Sequence, residues 1–270
     1  MTPARVLIVA GSDSGGGAGI QADIKTVTCL QGYAASAITA LTAQDTRSVH
    51  GIMPVDCGFI EQQIAVVLTD IGADCIKIGM LHVAPAIETV ARVISELAPT
   101  VPIVVDPVMV AQSGDRLLDG CAVAALRDIL LPQAALVTPN LPEAEVLLGQ
   151  RIDSRAAMME AAQALLALGC PAALLKGGHQ PGGTEVVDVL ASAAGVEYLI
   201  YPRIATRATH GTGCTLASAI ATGLAQGLEL AVAVRRARAY LQHALESAFA
   251  LGHGDGPVNH LHTVAPFKGS

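Results

Sequence analysis

The sequence predicts an α/β fold, a doubly wound and mostly parallel sheet flanked by helices, with a small antiparallel hairpin. Three observations carry that expectation. Short aliphatic runs of strand length alternate with longer amphipathic runs along the 270 residues, the order that right-handed crossovers between parallel strands produce. Hydrophobic residues make up 52% of the chain, with four Tyr, three Phe and no Trp, a composition suited to aliphatic strands buried on both faces. Polar residues Asp13, Gln44, Asp106, Asn140, Glu143 and Lys176 all fall just after expected strands, where open α/β sheets bind their ligands. No linker, low-complexity tract or fixed-period repeat breaks the pattern, so one domain is expected over residues 1–270.

The elements follow in order. Residues 5–10 (RVLIVA) form a buried strand, and the loop GSDSGGGAG after it holds five glycines in nine residues. A helix over IQADIKTVTCLQG closes at Gly32, a second strand spans 34–41, and TAQDTRSV is the polar loop that follows. A helix starts near 58–68, CIKI at 75–78 is a strand, 84–97 is helical, and 103–105 is a strand ending in Asp106-Pro107. Next come a helix near 120–131, a strand at 135–137, the loop TPNLPEAE, a helix around 156–168 and a strand at 172–175. Residues 186–190 and 196–201 read as a hairpin, and two long helices follow at about 214–226 and 229–251.

Charge and composition exclude several roles. A net charge of −7 with no basic cluster speaks against nucleic acid and acidic lipid surfaces as partners. The first apolar run is too short for a secretory signal, and no uninterrupted apolar stretch reaches membrane-spanning length. Six cysteines without a CxxC pair suit free thiols in a reducing cytoplasm.

The segment 209–220 (THGTGCTLASAI) is the strongest chemical signal. Gly211 and Gly213 bracket Thr212, so the turn can aim successive N–H groups at one point, and a helix beginning there adds the positive end of its dipole. Such a nest binds an anion with the Cys214 thiol at its rim. The same pattern also fits a tight turn entering a buried helix, with Cys214 as small core residue. No GxxxxGK[ST] occurs, so phosphate is not handled by a P-loop. In TPNLPE, Asn140 and Glu143 lie three apart at a helix start, and Asp106 ends a neighbouring strand. Their oxygens suit Mg²⁺ held against substrate phosphates, and equally a helix cap with its capping-box partner. Lys176 leaves an apolar strand, either toward a nucleotide phosphate or simply toward solvent.

Near the first loop, Gln44 can read a heterocycle edge or satisfy loop backbone, Asp23 offers a further hydrogen-bonding group, and Met80 a soft apolar contact. Gly17 to Ala22 fits G-x-G-x-x-A, with Asp45 near the end of the second strand. A dinucleotide site would leave NxxE, Lys176 and the GTGC turn without tasks. His179 and His210 lack zinc-ligand spacing, and no GxSxG elbow is present.

Assembled, the pieces AGSDSGGGAGIQADIKT, ITALTAQDT, KIGML, VVDPVM, LVTPNLPEAE, LLKGGH, THGTGCTLASAIA and GPVNHLH span nearly the whole chain. Together they closely resemble the hydroxymethylpyrimidine/phosphomethylpyrimidine kinases of thiamin biosynthesis, in the ribokinase-like superfamily. The resemblance implies ATP- and Mg²⁺-dependent phosphorylation of 4-amino-5-hydroxymethyl-2-methylpyrimidine and then of its monophosphate. By position it implies a pyrimidine pocket of Gln44, Gly11, Asp23, Met80 and Val108. It implies nucleotide contacts from Lys176, Asn140, Thr138 and Thr209, and metal carboxylates Asp106 and Glu143. It makes Gly211, Thr212, Gly213 and Cys214 the anion hole, with Cys214 where most ribokinase-like enzymes carry an Asp base. A helix N-terminus would favour the thiolate, while nearby phosphates would oppose it. Asp45, Ser14 and Ala208 depart from the Asn, Pro and Asn common in the family. A pyridoxal or pyridoxine kinase of the same fold is the nearest rival, and a dinucleotide-binding oxidoreductase a more distant one. The polar segment 111–119 is a candidate lid, and a site open at one sheet edge leaves room for a homodimer.

Overall fold

The computed structural model describes residues 2–111, 114–115, 117–178 and 183–266. Its strands are β1 (Arg5–Asp13), β2 (Tyr33–Gln44), β3 (Val49–Pro54), β4 (Cys75–Ile78), β5 (Ile103–Val105), β6 (Leu136–Val137), β7 (Ala172–Leu175), β8 (Glu185–Ser192) and β9 (Gly195–Pro202). Its helices are α1 (Gly19–Cys29), α2 (Cys57–Asp70), α3 (Ala84–Leu97), α4 (Ala122–Ala125), α5 (Leu141–Leu148), α6 (Arg155–Leu166), α7 (Thr212–Ala225) and α8 (Leu230–Glu246).

The strands form one sheet in the order β3-β2-β1-β4-β5-β6-β7-β8-β9. Strands β2 to β7 in that order run parallel; β3 at one edge and the β8–β9 hairpin at the other are antiparallel. Alternation along β1 shows how the sheet is sealed: Leu7 and Val9 enter the core under α2, α3 and α6, while Val6 and Ile8 enter the core under α1, α7 and α8. Both faces exclude water, which is why these strands read as unbroken aliphatic runs.

The expected mostly parallel α/β architecture with its hairpin is present, and several elements differ in extent. β1 and β2 extend past their aliphatic runs to Asp13 and Gln44, with a register shift after Ala10. Residues 42–44, expected as loop, are strand because they pair with β3, which was not anticipated. No residue of β3 is buried, so it has no hydrophobic pattern and exists as an edge added to β2. The expected helix at 120–131 is only α4 followed by a π turn (Leu126–Leu130) and a 3-10 turn (Leu131–Gln133) containing Pro132, whose missing N–H does not sustain a regular helix. TPNLPEAE is not all loop, since α5 begins at Leu141 on an Asn140 cap. α8 stops at Glu246, five residues before its expected end, where Ser247 Oγ donates to the His243 carbonyl. Among the described residues no helix is long and apolar enough to cross a membrane.

Candidate active site

A cleft of about 650 Å³ opens at the carboxyl ends of the parallel strands, the size and place in which α/β proteins hold small ligands. Gly11, Gln44, Met80 and Val108 line one part of it; Asp106, Asn140, Glu143, Lys176, Thr209 and the Gly211–Cys214 turn line the rest.

The turn is shaped by its first glycine. Gly211 has φ +83°, and a side chain there would run into the Gly17 carbonyl, so the glycine loop and the turn pack backbone to backbone. Thr212 N–H closes on the Thr209 carbonyl at 3.3 Å, and Thr215 N–H on Gly211 at 2.9 Å. Among the described residues this leaves Gly213 and Cys214 N–H without backbone acceptors at the positive end of the fourteen-residue α7. A Cβ on Gly213 would lie 3.2 Å from Asp106 Oδ2 and 3.3 Å from Lys176 Nζ, so the turn backbone at Gly213 lies beside that pair.

Lys176 donates to Asp106 Oδ1 at 2.7 Å, and Thr138 donates to the same oxygen at 3.0 Å. The backbone behind Lys176 is anchored, because Gly177 N–H donates to Asp188, itself held by Arg238. Asn140 and Glu143 form a complete capping box on α5: Asn140 Oδ1 accepts from Glu143 N–H, and Glu143 Oε2 accepts from Asn140 N–H at 2.8 Å. Glu143 is also buried in the cleft wall. Burial pushes its carboxyl up to about 7, Lys176 pulls it down and Asp106 pushes it further up. The cap and a cation-binding role are therefore compatible in one side chain. Asp106 Oδ2 accepts no hydrogen bond among the described residues, so one hard oxygen is open beside Lys176, with the Glu143 carboxylate next to it. No group of three or more His, Cys, Asp or Glu converges among the described residues, so a cation here would complete its shell from phosphates and water, as Mg²⁺ does. The donor set fits that ion.

Two expected contacts need correction. Thr138 does not face the cleft; it is fully buried and its hydroxyl is spent on Asp106, so it positions a carboxylate instead of touching nucleotide. Asp23 does not face it either, being wholly buried on α1 and held by Lys77 and Ser218.

The glycine loop is organised by Asp13. Its carboxylate accepts from Gly15, Gly17 and Ala18 N–H at 2.8–3.0 Å and from His210 Nε2 at 2.8 Å. Burial raises the Asp13 carboxyl, but the His210 and backbone bonds outweigh it and hold the group below its ordinary range. The N–H groups that a dinucleotide pyrophosphate would need are therefore already occupied. Asp45 is likewise spent, capping the β2–β3 turn through Arg47 and Ser48 N–H and His50. Gln44 faces the cleft with its amide between Thr42 Oγ1 at 3.1 Å and His210 at 3.5 Å. His179 lies outside the described residues.

Sequence reasoning missed Lys77 and the Asp13–His210 pair. A lysine inside the aliphatic CIKI strand was the available signal. Sequence reasoning also left the state of the Cys214 thiol open. Burial pushes this thiol up to about 12; the Lys77 charge opposes the shift, while Asp23 and Asp106 add to it. The helix terminus does not overcome that desolvation, so the resting group is a thiol.

An open anion turn and a lysine–carboxylate pair in one cleft at the carboxyl ends of a parallel sheet define a phosphotransferase. The comparisons narrow the class. The family model for phosphomethylpyrimidine kinase matches residues 13–259. The hydroxymethylpyrimidine/phosphomethylpyrimidine kinase of Streptomyces coelicolor is 47% identical over 260 residues, covering 96% of this chain and 95% of that one. A thiamine biosynthesis bifunctional protein of Geobacter sulfurreducens is 52% identical over 95% of this chain, which spans only 52% of that protein's length. A solved structure of Bacillus subtilis pyridoxal kinase with ADP superposes with a TM-score of 0.90 at 36% identity, covering 96% of this chain and 98% of that one. The chain belongs to the phosphomethylpyrimidine kinase family.

Proposed function

We propose that the protein uses ATP to phosphorylate 4-amino-5-hydroxymethyl-2-methylpyrimidine, then phosphorylates the resulting monophosphate to the diphosphate, in the cytoplasm. The observation that carries this reading is the adjacency, in one cleft, of the Gly211–Cys214 turn, whose Gly213 and Cys214 N–H groups have no backbone acceptor among the described residues, to Lys176 and Asp106, with Gln44, Met80 and Gly11 in the same cavity.

Phosphoryl transfer asks a protein mainly for positioning and charge neutralisation. Gln44 holds the edge of the heterocycle through its amide, and Met80 covers a face. Gly213 and Cys214 N–H donate to the oxygens of the phosphoryl group in flight, where charge builds in a site sheltered from water. Lys176 exchanges its bond to Asp106 for one to a phosphate oxygen. Asp106 and Glu143 would hold Mg²⁺, which supplies further positive charge to the phosphates. Cys214, once its thiol has given up its proton to water, receives the hydroxyl proton.

Purified protein is incubated with ATP and Mg²⁺ and, separately, hydroxymethylpyrimidine, its monophosphate and pyridoxal, and ADP release is followed. Release with both pyrimidines is expected. Release with pyridoxal alone would replace this reading with that of the structurally similar pyridoxal kinase. The role of Cys214 is tested by Cys214→Ala, expected to lose pyrimidine phosphorylation while still binding ATP; turnover close to wild type would remove the thiol from the reaction.

A further inference from the structure

One charged residue in the cleft wall has no part in the reading above. Lys77 is fully buried in β4, and its side chain borders the cavity. Its ammonium donates to both oxygens of Asp23 on α1, at 2.9 and 2.8 Å, and Asp23 Oδ1 also accepts from Ser218 Oγ on α7 at 2.7 Å. An ammonium has three protons. Among the described residues Asp23 is its one hydrogen-bonded partner, so one proton is left over.

Helix geometry says what lies next to it. Cys214 and Ser218 are four residues apart on α7 and so share one face, one turn from each other. Ser218 touches Asp23, which puts Cys214 over the same ion pair at the mouth of the helix. The electrostatics agree: after burial, Lys77 is the strongest influence on the Cys214 thiol, and Cys214 in turn raises Lys77. The remaining charges around the sulfur are Asp23 from α1 and Asp106 after β5, both opposing ionisation, and Lys176 after β7, which Cys214 also raises. Gly19 N–H reaches the sulfur from the start of α1. A buried Lys–Asp pair carries a desolvation cost that apolar residues of similar volume would avoid, so stability alone does not account for it.

We propose that Lys77, held by Asp23, is the counter-ion of the Cys214 sulfur, a positioning residue that supports it as it takes the substrate proton. This rests on the reading of Cys214 as proton acceptor. The Cys214 thiol first gives its proton to water in the open cleft; the hydroxymethyl O–H proton then passes to the anionic sulfur and restores its S–H. The oxygen bonds to the γ-phosphorus as the bond from that phosphorus to the β,γ-bridging oxygen breaks, and ADP departs. Lys77 and Asp23 end with the protons they began with.

Lys77→Met alone strands a buried carboxylate, so the comparison is made on an Asp23→Asn background, full-length protein throughout. The pH dependence of iodoacetamide alkylation at Cys214 is read by mass spectrometry of its peptide, beside kcat and KM for ATP. Adding Lys77→Met to Asp23→Asn should slow Cys214 alkylation about tenfold near pH 8, the size of a one-unit shift, with the profile displaced to higher pH. kcat should fall by a similar factor, with KM for ATP within about twofold. An unchanged alkylation profile with folded protein overturns the assignment of Lys77. If Cys214→Ala retains turnover, the base reading itself falls and takes this role with it, whatever the alkylation shows. If Cys214→Ala is inactive and the alkylation profile stays in place, only the Lys77 proposal fails.

Discussion

Two lysine–aspartate pairs flank the anion turn, and they are built differently. Lys77–Asp23 is sealed: neither side chain is exposed, and both Asp23 oxygens are taken. Lys176–Asp106 is open: 14% of the lysine side chain is accessible, and only one Asp106 oxygen is engaged. A sealed pair cannot trade partners without exposing a buried charge, so it serves as a permanent field. An open pair can release its lysine to an incoming phosphate and its free oxygen to a cation. The same two residue types thus act as fixed charge on one side of the turn and as exchangeable ligands on the other, and the difference lies in how many oxygens the surroundings consume.

Matched substitutions break the comparison most sharply. Lys77→Met should cost about 3–5 kcal/mol of stability, because Asp23 is left buried and unpaired. Lys176→Met also leaves a buried carboxylate, Asp106, but one with an oxygen open to the cleft, so it should cost less stability than Lys77→Met and lower kcat by about 10²–10³-fold, the scale of losing one preorganised charge at a transferring phosphoryl. Denaturant melts and steady-state kinetics on both variants decide it. Equal stability losses would erase the distinction between sealed and open pairs.

The pH dependence of stability separates the pairs next. Glu143 borders the open pair and has its carboxyl raised to about 7 from an ordinary 4.5. The folded protein therefore binds this proton more tightly than the unfolded chain. The stability so contributed is fully present below about pH 4.5 and is lost as pH rises through about 7. Glu143→Gln keeps an acceptor for Asn140 N–H and abolishes the titration. Melting temperatures of ligand-free protein should show wild type falling relative to Glu143→Gln between pH 5 and 8. Parallel profiles would mean that the carboxyl does not titrate in that window.

What the sequence made legible follows the same division. Asp106, Asn140, Glu143 and Lys176 stand at strand ends beside breaks in the aliphatic pattern, so position alone marks them, and the structure brings all four to one cleft. Lys77 stands inside a strand and pairs with a residue 54 positions earlier, a contact that no local period records. Asp23 and Thr138 illustrate the converse: each lies near a motif, yet points into the layer beneath it, at Lys77 and Asp106. β3 escaped notice because nothing in it is buried. The state of the Cys214 thiol stayed open because a helix terminus is visible in sequence, whereas the desolvation that raises it is not.

The smallest expected effect tests whether the open side is held by local chemistry. Asn140 accepts from Glu143 N–H at 2.9 Å, and Glu143 returns the bond, so the cap both starts α5 and aims the carboxyl into the cleft. Asn140→Ala removes one half of the box and should cost about 1 kcal/mol of stability. If the cap also aims Glu143, the loss in kcat should exceed what so small a destabilisation explains, since the protein stays folded at assay temperature. Asn140→Asp restores the acceptor and should recover the stability, but it sets a third carboxylate near Asp106 and Glu143. Recovery of both would assign Asn140 to the cap alone, and recovery of stability without recovery of kcat would show that the site needs a neutral group there beside Asp106 and Glu143.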